Sequence, residues 1–400
     1  MAPCDAVSAG GASHPRYLLP VADGSDTITA EALSGVTETD PAAWDALAGG
    51  HPFVRHAFLS ALEESSSVGP GTGWAPRPVL FRRGDTLIGA LPTYLKGHSQ
   101  GEYVFDHAFA DAYERAGGRY YPKLLCAVPF TPATGPRLLA RDGDARGLLA
   151  AGAAQVAEQL GVSSLAVNFP EAADRAALED AGFLMRSGQQ YHFQDEGYGD
   201  WAGFLGALSS RHRKGLRRER RAVAEAGVEI RWLTGGDVTE GVLDAFWGFY
   251  QDTGSRKWGH PYLTRTFFSL LAERMADDLL FVMAYRGDRP IAGAMNLIGP
   301  DALYGRYWGR SEHVDFLHFE VCYYQAIDFA LSRGLSRVEA GAQGEHKVAR
   351  GYRPVETHAA YWFRDEGFRA AVAGYLERER EAVDEELAYL DAFTPFRRDG

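Results

Sequence analysis

The sequence predicts an α/β (α+β) fold of two tandem lobes, each a mostly antiparallel mixed sheet flanked by helices, closed by a C-terminal helix. Three observations carry this. HPFVRHAFLSALEE, from His51 to Glu64, aligns without gaps to HPYLTRTFFSLLAE, from His260 to Glu273, with six identical positions. Each copy precedes an apolar run, an RGD triplet (Arg83, Gly84, Asp85; Arg286, Gly287, Asp288) and a second apolar run. That is the pattern of a β-hairpin turning at Gly-Asp. Farther along, GLLAAGAAQVAEQLGVSSLAVNF and FEVCYYQAIDFALSRGLSRVEAGA share a helix-then-strand pattern, with Gly161 and Gly334 as helix stops.

Residues 1–30, rich in Ala, Gly, Ser and Pro, read as a loose lead-in. The first lobe spans 31–197 and the second 198–400. The offset between copies is 203 residues at RGD and 173 at the helix stops, so the first lobe carries about 30 extra residues within 97–146, including FDHAFADAYERAGGRYYPKLL. The second lobe opens with a basic helix over 209–226. It ends in a helix over 366–391, where Phe368, Val372, Leu376, Val383, Leu387 and Leu390 recur at helical spacing.

With 46% hydrophobic residues over 400 positions, the chain can bury a large core. A formal charge of −12 argues against broad binding to nucleic acid and leaves room for one local basic patch. Cys4, Cys126 and Cys322 form no CxxC pair and cannot all pair, which fits a reducing compartment. No apolar run reaches 18 residues, so a cytoplasmic chain without a membrane span is expected. Oligomeric state is not readable.

The patch lies at Ser209 to Arg221, SSRHRKGLRRERR, with seven Lys and Arg residues. With Ser209 or Ser210 as cap, Leu205, Leu208, Leu216 and Val223 fall near one apolar face, and Arg211, Arg213, Lys214, Arg217 and Arg218 point to solvent or ligand. Arginine suits bidentate phosphate contacts, and a row of cations over three turns suits a repeating phosphate backbone better than one diphosphate. The alternative is a solvated face balanced by Glu219 and Glu225. Trp232, Trp247 and Trp258 are candidates for stacking on a terminal base, or for core.

Three stretches carry a family resemblance: LSSRHRKGLRRERRAVAEAGVEI, RPIAGAMNLIGPDALYGRYWG and YQAIDFALSRGLSRVEAGAQGEHKVARGY. Together they resemble the tandem GNAT-fold, Fem-like N-acyltransferases over about residues 40–385. The resemblance implies transfer of an acyl or aminoacyl group from an activated carrier to a primary amine on a small molecule or peptide, with aminoacyl-tRNA or acyl-CoA as co-substrate. It also marks Lys347 as the lysine that relatives carry after this strand. CoA users place a glycine-rich loop before the helix that follows the third strand. Here that segment is GRSEHVDFLHFE, without a glycine after Gly309 and with Glu312, Asp315 and Glu320, which favours tRNA. The first-lobe segment, with Gly135, Arg137, Gly143, Arg146 and Gly147, is nearer to phosphate chemistry but lacks the spacing.

Aminolysis of an ester or thioester needs a deprotonated amine, an oxyanion donor and positioning. Glu320, amid apolar neighbours in LHFEVCYY, is the first candidate base, followed by His318. Asp106 and His107 in the insertion, and Glu345, His346 and Lys347 in GAQGEHK, form two further clusters. Gly341, Gln343 and Gly344 permit an open turn whose N–H groups would hold the carrier end or an oxyanion. His318 and Glu320 with Glu345, His346 or His107 lack metal-ligand spacing, so no metal is expected. A non-catalytic binding module that kept the fold is the rival from another class.

Overall fold

A computed structural model describes residues 15–19, 28–257, 261–341 and 344–397. Two strands fall inside or beside the expected lead-in: Arg16–Leu19 pairs with Ile28–Ala32 in antiparallel register. They extend the first-lobe hairpin, Val79–Arg83 and Thr86–Leu91, into a five-stranded sheet ending at Leu139–Ala140.

The larger sheet has eleven strands. In spatial order they are Glu229–Leu233, Leu279–Arg286, Arg289–Ile298, Ala302–Arg310, Arg337–Glu339, Leu184–Gln194, Arg353–Phe363, Ser164–Asn168, Lys123–Cys126, Thr93–Lys96 and Trp74–Pro76. Its centre is an exchange of strands. Leu184–Gln194, late in the first half, pairs with Arg337–Glu339 of the second half, while Arg353–Phe363, late in the second half, pairs with Ser164–Asn168 of the first. The two exchanged strands pair with each other over nine residues, so the lobes share one sheet. Helix Glu366–Asp391 covers this seam, burying Val372, Leu376 and Leu390 and accepting at Glu379 from Arg186 Nη2 at 2.7 Å and Nε at 2.8 Å.

The internal repeat is visible in atomic detail. Each hairpin carries a β-bulge three residues after the Asp of its RGD triplet: Ile88 and Ile291 lie outside the paired register. Each bulge carbonyl accepts a bond from the end of the third strand, Arg141 N to Ile88 O at 3.0 Å and Ser311 N to Ile291 O at 2.8 Å. The repeated helices, His56–Glu64 and Arg265–Met275, pack against each other. There the equivalent rings Phe58 and Phe267 touch edge-to-face at 5.6 Å, a contact worth about 1 kcal/mol beyond its burial. Gly161 and Gly334 adopt φ of +76° and +66°, the left-handed stop that glycine tolerates best.

The extra residues of the first lobe enter in two places. One segment, 97–122, separates strands Thr93–Lys96 and Lys123–Cys126, where the second lobe needs only residues 299–301; another, 127–138, splits the third strand in two.

Candidate active site

The candidate site forms where the second-lobe sheet opens. Strands Ala302–Arg310 and Arg337–Glu339 run parallel and pair only over Ala302–Tyr304, after which they separate. A second bulge leaves Arg306 without a partner residue in the register against Asn296 and Met295, a distortion common beside active sites. A helix starting at Leu317 closes the opening, and its next turn, Glu320–Tyr324, is π-helical. Such one-turn expansions recur at functional sites.

Within this corner the structure gathers three of the predicted residues. His318 packs on Trp308 at 5.0 Å between ring centroids and on Tyr323 at 5.3 Å, and His346 lies 6.3 Å from His318. The Tyr323 hydroxyl meets His346 Nε2 at 3.0 Å. Tyr323 was missed from the sequence, where it reads as one aromatic of an apolar helix. Burial holds the His346 imidazole below its usual pKa, with the Arg350 and Lys347 cations adding to the effect, so the ring is neutral at pH 7 and able to accept a proton. Lys347 is buried; its Nζ donates to Ala340 O at 2.8 Å and Gly341 O at 2.9 Å, and burial pushes its pKa down to about 8. It therefore fixes the chain just past the end of strand Arg337–Glu339. Gly341 and Gly344 have φ of +80° and +113°, and a Cβ on Gly344 would stand 2.4 Å from His346 Cε1. Gln343 and the Glu345 side chain lie outside the described residues.

Glu320 is turned to another task. It is buried, and its Oε1 accepts from Arg220 Nε at 3.1 Å and from Gln325 Nε2 at 2.6 Å. Burial raises its pKa, opposed by Arg220. The carboxylate thus anchors the basic helix to the π-helical turn. Its neighbour Glu219, on that helix, accepts from Tyr324 OH and from Arg350 at 3.1 Å, while Arg350 also donates to His346 O at 2.8 Å.

The basic helix spans Ser210–Glu225 and buries Leu216, Glu219 and Val223; Ser209 caps its start without a side-chain bond to the backbone. At 100° per residue, Arg211, Lys214, Arg218 and Arg221 form one exposed stripe, with Arg213 and Arg217 on its flank. Among the described residues none of these six has an ion-pair partner, whereas Arg220 pairs with Glu320 and Asp328. The seventh cation of the run is structural and the other six are available to a ligand.

Asp106 and His107 stand apart from this corner, in the insertion. They are the cap and first residue of helix His107–Arg115. Asp106 is buried and accepts from Ser99, Lys123 and, at 2.7 Å, Tyr120 OH. Despite burial, Lys123 and these donors hold its pKa down, which makes it a weak base. Lys123 also donates to Glu102 at 2.7 Å, and Lys96 lies 3.9 Å from Glu102. The exposed His107 ring stacks on Phe105 at 5.7 Å. Together with Trp74, His98, Tyr103, Tyr262 and their neighbours it lines a cavity of about 610 Å³ open to solvent.

The other expected phosphate and stacking positions are occupied. Arg137 is fully buried on the carbonyls of Ala133, Pro136 and Asn168, and Arg146 pairs with Asp174 at 2.9 Å. Glu312 pairs with Arg286 and Arg289, both at 2.7 Å. Trp232 donates to Gln325, and Trp247 packs on Tyr250 and Phe268. Trp258 lies outside the described residues. Among the described residues there is no metal-binding group of three or more His, Cys, Asp or Glu, and no helix is long and apolar enough to cross a membrane.

Two hairpin-and-helix lobes with an opened parallel strand pair define a tandem GNAT-fold acyltransferase. The family described as FemAB-like, peptidoglycan biosynthesis/recognition, matches residues 35–398, and the chain belongs to it. The crystal structure of FemX superposes with a TM-score of 0.54 at 12% identity, covering 84% of this chain and 99% of that one. A tandem GNAT protein from the clavulanic acid biosynthesis pathway gives 0.39 at 13% identity, over 84% and 97%. L-PGS from Bacillus licheniformis gives 0.48 at 10%, over 84% and 96%. No curated protein sequence matches the chain.

Proposed function

We propose that this acyltransferase moves an aminoacyl group from aminoacyl-tRNA to a primary amine on a small molecule or peptide. The observation that carries the reading is the row of six cations on helix Ser210–Glu225 that have no ion-pair partner among the described residues, joined through Glu219, Arg220 and Arg350 to the corner that holds His318, His346 and Lys347. Phosphates along this face would bring the charged 3′ end of the carrier to the opened strands.

In the reaction the acceptor nitrogen attacks the ester carbonyl, the C–N bond forms and the C–O bond to the carrier breaks. His346, neutral and set by Tyr323, takes the proton lost by nitrogen and returns it to the leaving oxygen. Lys347 holds the chain at Ala340 and Gly341 beside the corner, where backbone N–H groups would donate to the developing oxyanion. Glu320 keeps the helix and the turn in register and is a positioning residue.

The test is transfer of a radiolabelled amino acid from charged tRNA, against acetyl transfer from acetyl-CoA, to a panel of primary amines. Label transfer from tRNA alone supports the reading. Transfer from acetyl-CoA alone overturns the carrier assignment.

A further inference from the structure

We propose that Arg306 holds an oxyanion of the acceptor, so that the amine substrate carries a carboxylate or a phosphate on the same molecule. This rests on the amine-acceptor reading above.

A strand alternates its side chains, and the bulge at Arg306 breaks that alternation. Arg306 and Tyr307 therefore reach the same side of the sheet. The Arg306 guanidinium carbon lies 5.0 Å from the Tyr307 ring centroid and 5.7 Å from that of Phe53, and Nη2 donates to Phe130 O and, at 3.5 Å, to Tyr307 OH. This side is the core between the two halves, to which Phe53, Phe130 and Tyr307 belong; Trp308 packs instead into the core under the basic helix. In a regular strand Arg306 would share the side of Trp308, so the bulge re-aims it.

The cation is only partly used where it points. Arg306 is half-buried, and among the described residues it has no carboxylate partner and no hydrogen bond from Nε or Nη1. By contrast Arg220, Arg337 and Arg350 each meet a glutamate. A guanidinium with N–H groups to spare is shaped for a carboxylate or a phosphate. Its orientation is fixed through Phe130, which adopts the left-handed backbone at φ +57° and stacks flat on Tyr262 at 4.7 Å and 8°. Two residues on, Gln190 Nε2 donates to Pro132 O at 2.7 Å and holds the same segment to the exchanged strand. Backbone strain enforced by its surroundings recurs at ligand sites.

Strand Ala302–Arg310 joins Arg306 to the corner. Gly305, the residue before it, lies so close to the facing strand end that a Cβ would stand 3.4 Å from Glu339 O and 3.7 Å from Ala340 Cα, and Ala340 O is the carbonyl to which Lys347 donates. Two residues after Arg306, about 7 Å along the strand, Trp308 carries the His318 ring. Arg306 and that ring lie on opposite sides of the sheet. An acceptor held at both must extend through the opened strands, with several bonds between its anion and its amine.

Calorimetric titration of the full chain without carrier tests this with three probes: ε-aminocaproate, aminohexyl phosphate, and hexylamine, which keeps the amine and chain without the anion. At least one anionic probe is expected to bind about ten-fold tighter than hexylamine or better, and the tighter of the two identifies the anion. Arg306→Gln should abolish that preference with hexylamine affinity unchanged, and Arg306→Lys, which keeps the charge and loses the fork, should reduce it. Were Arg306 only a pin for the Phe130 segment, its loss would move all three probes together. That outcome, no preference for either anionic probe in the parent, or a preference undiminished in either variant would overturn the proposal. With no carrier in the cell, these results are independent of the donor, and the amine-acceptor reading itself is tested separately by label transfer.

Discussion

Arg220 on the basic helix reaches Glu320 in the π-helical turn, Nε to Oε1 at 3.1 Å, and so ties the cationic face to the turn that carries Tyr323. The Glu320 side chain is 5% exposed and that of Arg220 23%. Removing one partner of a largely buried pair strands the other. Arg220→Ala should therefore cost about 3 kcal/mol in urea unfolding, and Glu320→Gln less, because its amide keeps polar partners. If Glu320→Gln left stability intact and abolished turnover, Glu320 would be the base and His346 would lose that role.

Gly344→Ala should lower both stability and activity. Its φ of +113° disfavours a side chain, and the new Cβ would push on the His346 ring from 2.4 Å. The expected cost is about 1–3 kcal/mol of folding free energy, with kcat lowered at least ten-fold as His346 leaves Tyr323. An unchanged kcat would show that the ring position is immaterial.

Glu339, buried where the exchanged strands meet, gives a pH signature. Burial raises its pKa to about 7, with Arg337 opposing. The folded state thus keeps a proton that the unfolded chain, near 4.5, has lost. The stability this brings is fully present below about pH 4.5 and is lost as pH rises through about 7. Relative to the parent, Glu339→Gln should gain stability across that window, read by urea midpoints at several pH values. A difference that does not change with pH would contradict the assignment.

The fold was legible where information is local. The gapless repeat, the RGD turns and the glycine stops each reflect neighbouring residues, and Ile88 and Ile291 show the repeat persisting to single bulges. The exchange of Leu184–Gln194 and Arg353–Phe363 was not legible, because alternation marks a strand without naming its partner. The same limit hid the occupation of Glu320: burial among apolar neighbours was readable, but Arg220 lies 100 residues earlier in the chain. In the insertion, Asp106 and His107 diverge, one buried and one exposed, because they form the start of a helix. Lys347 was readable only through resemblance, and Tyr323 had no signal in an aromatic-rich helix.

On the basic helix, stability and binding should separate. Arg211, Lys214, Arg218 and Arg221 have no ion-pair partner among the described residues, so replacing them with Gln should leave the unfolding midpoint unchanged or slightly raised. Arg213→Ala and Arg217→Ala, on the flank, should weaken carrier retention without lowering the melting temperature.

The most direct test of the carrier assignment is filter binding of aminoacyl-tRNA to the parent and to the Arg211, Lys214, Arg218 and Arg221 to Gln variant across a salt series. The parent should retain tRNA with a slope in log affinity against log salt that falls by about 0.7–0.9 for each phosphate contact removed in the variant, and acyl-CoA should not compete. Equal retention and equal slopes in both proteins, or displacement of tRNA by acyl-CoA, would contradict it.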